Sequence, residues 1–269
     1  MLFHGGRTMV FYFTATGNSL YVARQLDKDC ISIPQAIHGD MVYKAERIGI
    51  VCPVYGHEMP MIVKEFIRKA EFDTDYLYLV ETYGHRQGGA NELAEKIFEE
   101  SGKHTDYATT ISLVDNFLPS FDMNEEREYD KQRDIEKHIA EIKADIEAKK
   151  KWHQPVTDED RAIHQMYLEH MKNVPASFWG QLYSVTDECI GCGVCTRVCP
   201  VGCIELKEQH AIQHLTDEYG NIVCNTCMAC IHHCPKKAIK LNMPEKNPDA
   251  RYRNTHIRLK EIVDANNQT

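Results

Sequence analysis

Eight cysteines in the 269-residue chain fall into two runs of identical spacing. Cys189, Cys192, Cys195 and Cys199, followed by Pro200, superpose at an offset of 35 residues on Cys224, Cys227, Cys230 and Cys234, followed by Pro235. The register continues through Ile204 with Ile239 and Leu206 with Leu241. A half-domain of about 30 residues, too small to bury a core alone, is therefore present twice. Each run reads C-x2-C-x2-C-x3-C-P. Three thiolates at spacings of three wrap one face of a cubane iron–sulfur cluster, while the fourth lies past a turn set by proline and projects the opposite way. The expected assignment is crossed. Cys189, Cys192, Cys195 and Cys234 hold one 4Fe-4S cluster, and Cys224, Cys227, Cys230 and Cys199 hold the other. Structural zinc is the alternative for four-cysteine sets, but zinc ribbons use two separated C-x2-C pairs instead of a triplet. Gly191 and Gly193 suit a loop whose amides approach inorganic sulfide; the second copy, with Asn225, Thr226, Met228 and Ala229, is poorer in glycine.

Of the 11 cysteines, nine crowd between positions 189 and 234. Thiols kept reduced in a cytosol point to metal and not to disulfides when crowded this way. Cys203 reads as a small buried side chain, because its repeat equivalent is Ala238. Cys30 and Cys52 read as ordinary strand-associated thiols. His232 and His233 stand between ligands and are expected at the surface or just behind the thiolates. On these residues, 184–243 resemble a dicluster 4Fe-4S ferredoxin.

A second chemical signal precedes the cysteines by more than a hundred residues. Thr14-Ala15-Thr16-Gly17-Asn18-Ser19 follows an apolar strand and opens a helix. Hydroxyls and backbone N–H groups converge there on the positive end of a helix dipole, which suits a terminal phosphate. No Walker lysine and no G-x-G-x-x-G accompanies it.

The elements that must position this loop alternate. Met9–Phe13, Arg47–Cys52, Tyr76–Thr82 and Ala108–Leu113 read as buried strands, with a weaker one at Ile31–Ile33. Helical patterns cover Gly17–Leu26, Met59–Lys69 and Glu92–Glu100. The pattern is that of a parallel sheet with crossover helices. Ile135, Ile139, Ile142 and Ile146 then lay a narrow apolar stripe along a charged helix that closes the first domain. Thr157-Asp158-Glu159-Asp160 resembles a capping box for a bridging helix through Ile163, Met166, Tyr167 and Met171. The expected organisation is a domain over 1–150, a helical linker over 151–183, the cysteine domain over 184–243 and a polar surface tail over 244–269. The tail carries one short amphipathic piece near Ile257–Val263.

A T-x-T-G loop after the first of five alternating strands resembles the flavodoxin phosphate loop. That resemblance implies an α/β, flavodoxin-like, doubly wound five-stranded parallel sheet of order 2-1-3-4-5 that binds FMN, beside a small α+β dicluster bacterial-ferredoxin domain. Pro53-Val54-Tyr55-Gly56-His57-Glu58 is similar to the flavodoxin loop that grips the flavin ring. By that likeness Tyr55 stacks, the Gly56 peptide flips toward flavin N5, and Glu58 holds the pyrimidine edge. Thr82-Tyr83-Gly84-His85 is similar to the second ring-binding loop, with His85 where many flavodoxins carry an aromatic residue.

Lys and Arg number 31 against 40 Asp and Glu, a net charge of −9. This is the wrong sign for nucleic acid or anionic lipid. No apolar run approaches a membrane span, and the N-terminal stretch MLFHGGRTMVFYF lacks a small-residue cleavage site, so the chain reads as cytoplasmic. The whole resembles the fused flavodoxin–ferredoxin proteins of anaerobic microbes, which implies electron transfer between redox partner proteins. FMN holds one or two electrons and each cubane one, so the fusion converts between two-electron and one-electron chemistry. The rival expectations are a terminal flavin oxidoreductase reducing a small molecule near His57, His85 and Arg86, and an iron–sulfur sensor or scaffold. The sequence leaves the oligomeric state open.

Overall fold

The computed structural model describes residues 2–3 and 8–268; within the N-terminal stretch read above for a leader, residues 1 and 4–7 lie outside the described part. Apolar runs without polar alternation need cover on both faces. Such runs form β1 (Thr8–Tyr12), β3 (Arg47–Pro53), β4 (Leu77–Tyr83) and β5 (Tyr107–Ser112), and the short, more exposed β2 (Cys30–Ser32) and β6 (Trp152–His153) lie at the two edges. All six are parallel, in the order β2-β1-β3-β4-β5-β6. The sheet thus has six strands where five were expected. The sixth belongs to the stretch read as a linker, and its two residues pair with Tyr107 and Ala108 at the edge.

The crossover helices are α1 (Asn18–Leu26), α2 (Met61–Lys69) and α3 (Ala90–Glu100), followed by α4 (Met123–Asp130) and α5 (Ile135–Glu147). Helix α1 packs against α5, and α2 against α3. The four isoleucines of the α5 stripe are all buried, as a narrow apolar face against a neighbour requires. The chain runs from β1 outward to β2 and returns on the other side to β3. Such a reversal opens a crevice beyond the strand ends, and the Thr14–Ser19 and Pro53–Glu58 loops flank it.

Helix α6 (Asp158–Met171) starts at a complete capping box between Thr157 and Asp160. The cysteine domain follows with β7 (Tyr183–Val185), α7 (Val194–Val198), β8 (Ile204–Lys207), β9 (His210–Gln213), α8 (Ala229–His233) and β10 (Ile239–Leu241). Strand β7 pairs antiparallel with β10, and β8 with β9. The duplication extends to backbone conformation. Left-handed residues Gly191, Gly193 and Gly202 recur 35 positions on as Thr226, Met228 and Lys237. The second copy therefore keeps the loop geometry while placing side chains where glycine is least strained.

Residues 244–268 are not the surface tail expected of 244–269 from its polarity. Helix α9 (Leu259–Asn266) packs on α7, and Ile257, Ile262 and Ala265 join the core of the sheet domain. Asn266 is fully buried, its amide donating to Thr14 O (2.8 Å) and Val198 O (3.3 Å). These two carbonyls accept from the amide nitrogen, while Oδ1 is buried without a partner. The two cores trade residues. Val198, Cys227 and Ala229 pack with the sheet domain, while Val114, Leu118 and Met123 pack among the cysteines.

Candidate metal centres and the neighbouring loops

The eight thiols gather around two separate cavities. Cys189, Cys192, Cys195 and Cys234 line the first, with Ile190, Leu206 and Ile239 among their neighbours. Cys199, Cys224, Cys227 and Cys230 line the second, where Cys203 adds a fifth thiol 3.5 Å from Cys199 Sγ. Each cavity takes three cysteines from one run and one from the other, because α7 and α8 lie side by side and each ends on a cysteine in extended conformation. Backbone amides approach the sulfurs in both halves: Thr226 N lies 3.3 Å from Cys224 Sγ and Ala238 N 3.2 Å from Cys234 Sγ. Burial pushes the Cys195 thiol up to about 11, and Cys227 is raised by the same cause. A bound metal would supply the positive charge that turns such thiols into thiolates. The first cavity lies nearer solvent, since Cys192 is exposed while every thiol of the second set is buried.

His232 and His233 are buried, not at the surface. His232 Nδ1 accepts from Tyr252 N at 3.1 Å, so Nε2 carries the proton that goes to Asn116 O at 2.9 Å. Its imidazole ties the cysteine domain to the sheet domain, and desolvation lowers its pKa to about 3. His233 Nδ1 bonds Ala229 O at 2.8 Å.

The Thr14–Ser19 loop has the conformation its sequence suggests. Gly17 stands at the α1 N-cap with φ 107°, and the helix start has no side-chain cap from its own N-cap residue. Thr14 Oγ1 accepts from Gly17 N (3.0 Å), Ser19 Oγ pairs with Thr82 Oγ1 (2.8 Å), and Thr16 Oγ1 accepts from Asn116 Nδ2 (2.8 Å). Asn18 receives Tyr252 OH (2.7 Å) and Asn254 Nδ2 (3.1 Å) on its side-chain oxygen. Thr14, Ala15, Thr16, Gly17 and Ser19 are all buried. The cover is the C-terminal segment: a Cβ added to Gly17 would lie 3.0 Å from Cβ of both Asn254 and Ile257. The donor set suits a phosphate, but the space beside it is filled by Asn254 and Ile257.

The second loop forms a tight reversal. Tyr55 N donates to Glu58 O (2.7 Å) and Glu58 N to Tyr55 O (3.1 Å), with Gly56 and His57 both at positive φ. This is the hairpin turn whose two central residues are left-handed. Pro53 and Val54 lead into it, Val54 N donating to Thr82 O at 2.9 Å. Glu58 pairs with Lys64. Helix α6 roofs the turn: Tyr167 OH occupies the space that a Cβ on Gly56 would need, and the His57 ring lies 5.6 Å from His164. Tyr55 OH is buried without a partner, and Tyr55 packs against the core that holds Cys52 and Cys227.

In the third loop, Thr82 is engaged with Ser19, Tyr83 ends β4, and Gly84 abuts Asp115. His85 stacks on Phe121 (4.5 Å between centroids, 8°) and on Tyr129 (5.4 Å, 11°), with Nε2 2.6 Å from Glu126 Oε1. It is held by protein rings and a carboxylate. Sequence reasoning passed over Phe121, Tyr129, Asn116, Tyr252 and Asn254, which carry no motif of their own.

The 4Fe-4S dicluster domain family matches residues 170–239. A ferredoxin-like protein in nif region from Trichormus variabilis is 35% identical over 54 residues, covering 20% of this chain and 42% of its own length. Pyruvate synthase subunit PorD of Methanothermobacter marburgensis is 40% identical over 55 residues, covering 20% of this chain and 57% of its own. The chain spans less than two thirds of either relative. The solution structure of two-electron reduced Megasphaera elsdenii flavodoxin aligns over 39% of this chain and 85% of the flavodoxin, at 16% identity and a TM-score of 0.28. The strand order observed directly is the flavodoxin-like one, extended by β6. Residues 170–239 thus carry a 4Fe-4S dicluster domain, and the parallel sheet that precedes it in the chain has the flavodoxin-like strand order.

Proposed function

We propose that the protein relays electrons between redox partner proteins through two 4Fe-4S clusters and an FMN held at the crevice of the sheet domain. The observation that carries the reading is the abutment of the second cavity and the ring-binding turn. Asn225, between two thiols of that cavity, accepts a hydrogen bond from Ile62 N just beyond the turn, and Tyr55 packs against the same apolar core that Cys227 joins. Cys199, Cys224, Cys227 and Cys230 would hold the inner cluster, and Cys189, Cys192, Cys195 and Cys234 the outer. Exposed Cys192, with Ile190 and Leu206 beside it at 55% and 42% exposure, offers the outer cavity to a partner. FMN, when bound, supplies a centre that exchanges electrons singly or in pairs.

For that cofactor the chain contributes the uncapped start of α1, the Thr14–Ser19 hydroxyls, the Tyr55–Glu58 turn and the Thr82–His85 loop. Entry of a phosphate requires Asn254 and Ile257 to leave Gly17. The net charge of −9 disfavours added negative charge and so suits low potentials and basic partner surfaces. Among the described residues no helix is long and apolar enough to cross a membrane. An anaerobic redox titration of the full chain, following flavin absorbance and cluster paramagnetic signals together, tests the reading. Flavin steps overlapping the cluster steps support a relay; a chain that purifies with clusters and takes up no flavin overturns it.

A further inference from the structure

The two cavities are duplicates in their thiols and differ in the rest of their lining. Around the first stand Ile190, Val194, Leu206, Ala211, Ala238 and Ile239; its one charged neighbour, Lys236, is exposed to water. Around the second, beside Val201, Ile204, Leu215, Met228 and Ala229, stand Tyr183, Gln213, Asn225 and Cys203. Tyr183 is 6% exposed and its hydroxyl has no hydrogen-bond partner. Gln213 Nε2 is likewise buried and unpartnered. Cys203 lies 3.5 Å from Cys199 Sγ, while the repeat places Ala238 at the equivalent position beside the first cavity. A buried donor without an acceptor is costly, so native proteins rarely keep one unless something else accepts. Two such donors and a thiol converge on one cavity whose expected content is rich in sulfur acceptors.

We propose that Tyr183, Gln213 and Cys203 donate hydrogen bonds to the sulfurs of the inner cluster and raise its reduction potential. This rests on the two-cluster reading above. Reduction adds one electron, and therefore negative charge, to the cluster; hydrogen bonds to sulfur strengthen as that charge grows and favour the reduced form. No proton is transferred and no bond to iron is broken. The backbone amides do not create the asymmetry, because they approach the thiols of both cavities. The three residues are positioning groups that act through the sulfurs, and they give the inner cluster a setting its duplicate lacks.

The test is a potentiometric titration of the full-length protein, prepared anaerobically, with dithionite as reductant and cluster signals read by electron paramagnetic resonance. The variants are Tyr183→Phe, Gln213→Leu and Cys203→Ala, each checked for iron and acid-labile sulfide. Each substitution is expected to move one of the two cluster steps to lower potential and leave the other in place, with full iron content. Tyr183→Phe keeps the ring and its packing, so it decides the matter if another variant fails to load. Unchanged potentials in a fully loaded Tyr183→Phe and Cys203→Ala would overturn the proposal while leaving the clusters intact. A wild-type protein that binds no more iron and acid-labile sulfide than one cubane holds would overturn the two-cluster reading itself.

Discussion

Asn225 Oδ1 accepts a hydrogen bond from Ile62 N at 3.2 Å, with both residues buried. Ile62 is the second residue of α2, whose N-cap, Pro60, has no side chain able to bond the free amides of the first turn. A residue between two cluster cysteines thus caps a helix of the other domain. Replacing Asn225 with Ala should cost about 1 kcal/mol, the usual worth of such a cap. Urea unfolding followed by far-ultraviolet circular dichroism measures it; an unchanged midpoint would mean that water caps α2 equally well.

The crossed ligand sets predict which substitutions behave alike. Cys189→Ala and Cys234→Ala should abolish the same cluster signal although 45 positions separate them, because both thiols line one cavity. Cys199→Ala and Cys224→Ala should abolish the other. Paramagnetic resonance of the reduced variants tells the two pairs apart. Pairing by run, with Cys189 and Cys199 alike, would refute the crossing.

The C-terminal segment lies over the loop expected to hold phosphate. Tyr252 and Asn254 bond the side-chain oxygen of Asn18, at 2.7 and 3.1 Å. The double variant Tyr252→Phe/Asn254→Ala removes both bonds and should take up added FMN faster than the wild type. Stopped-flow quenching of flavin fluorescence reads the rate. Slower uptake would mean that the segment helps build the site instead of covering it.

Glu81 supplies a pH dependence. Its carboxyl is fully buried in β4 with neither oxygen partnered, and desolvation raises its pKa to about 8. Between the ordinary carboxylate value and 8 the folded state binds the proton and the unfolded state does not. Its contribution to stability is therefore complete below about pH 4.5 and is lost as pH rises through 8, falling by about 1.4 kcal/mol for each pH unit across that window. Glu81→Gln should flatten the stability profile over this window, as thermal melts at a series of pH values would show. An unaltered slope would assign the dependence to other groups.

Chemistry carried by local spacing was legible in the chain. Three cysteines at intervals of three, a proline after the fourth, and a second copy 35 residues on define the thiol sets, because a short loop around a cluster is built from neighbours in sequence. The buried strands and the Thr14–Ser19 turn were legible for the same reason, since period and turn chemistry act over a few residues. Tertiary structure alone decided what lies against these pieces. Asn266 reaches Thr14 across 252 residues, Tyr252 reaches Asn18 across 234, and Asn225 reaches Ile62 across 163. None of these polar residues announces burial, because the groups at the other end of their hydrogen bonds lie far away in the chain. His232 went inside on the same terms, between Tyr252 N and Asn116 O. The composition around the thiols was visible as letters. That Tyr183 and Gln213 line one cavity, while Lys236 is the only polar side chain beside the thiols of the other, follows only from how β7 and β9 pack over the duplicated loops.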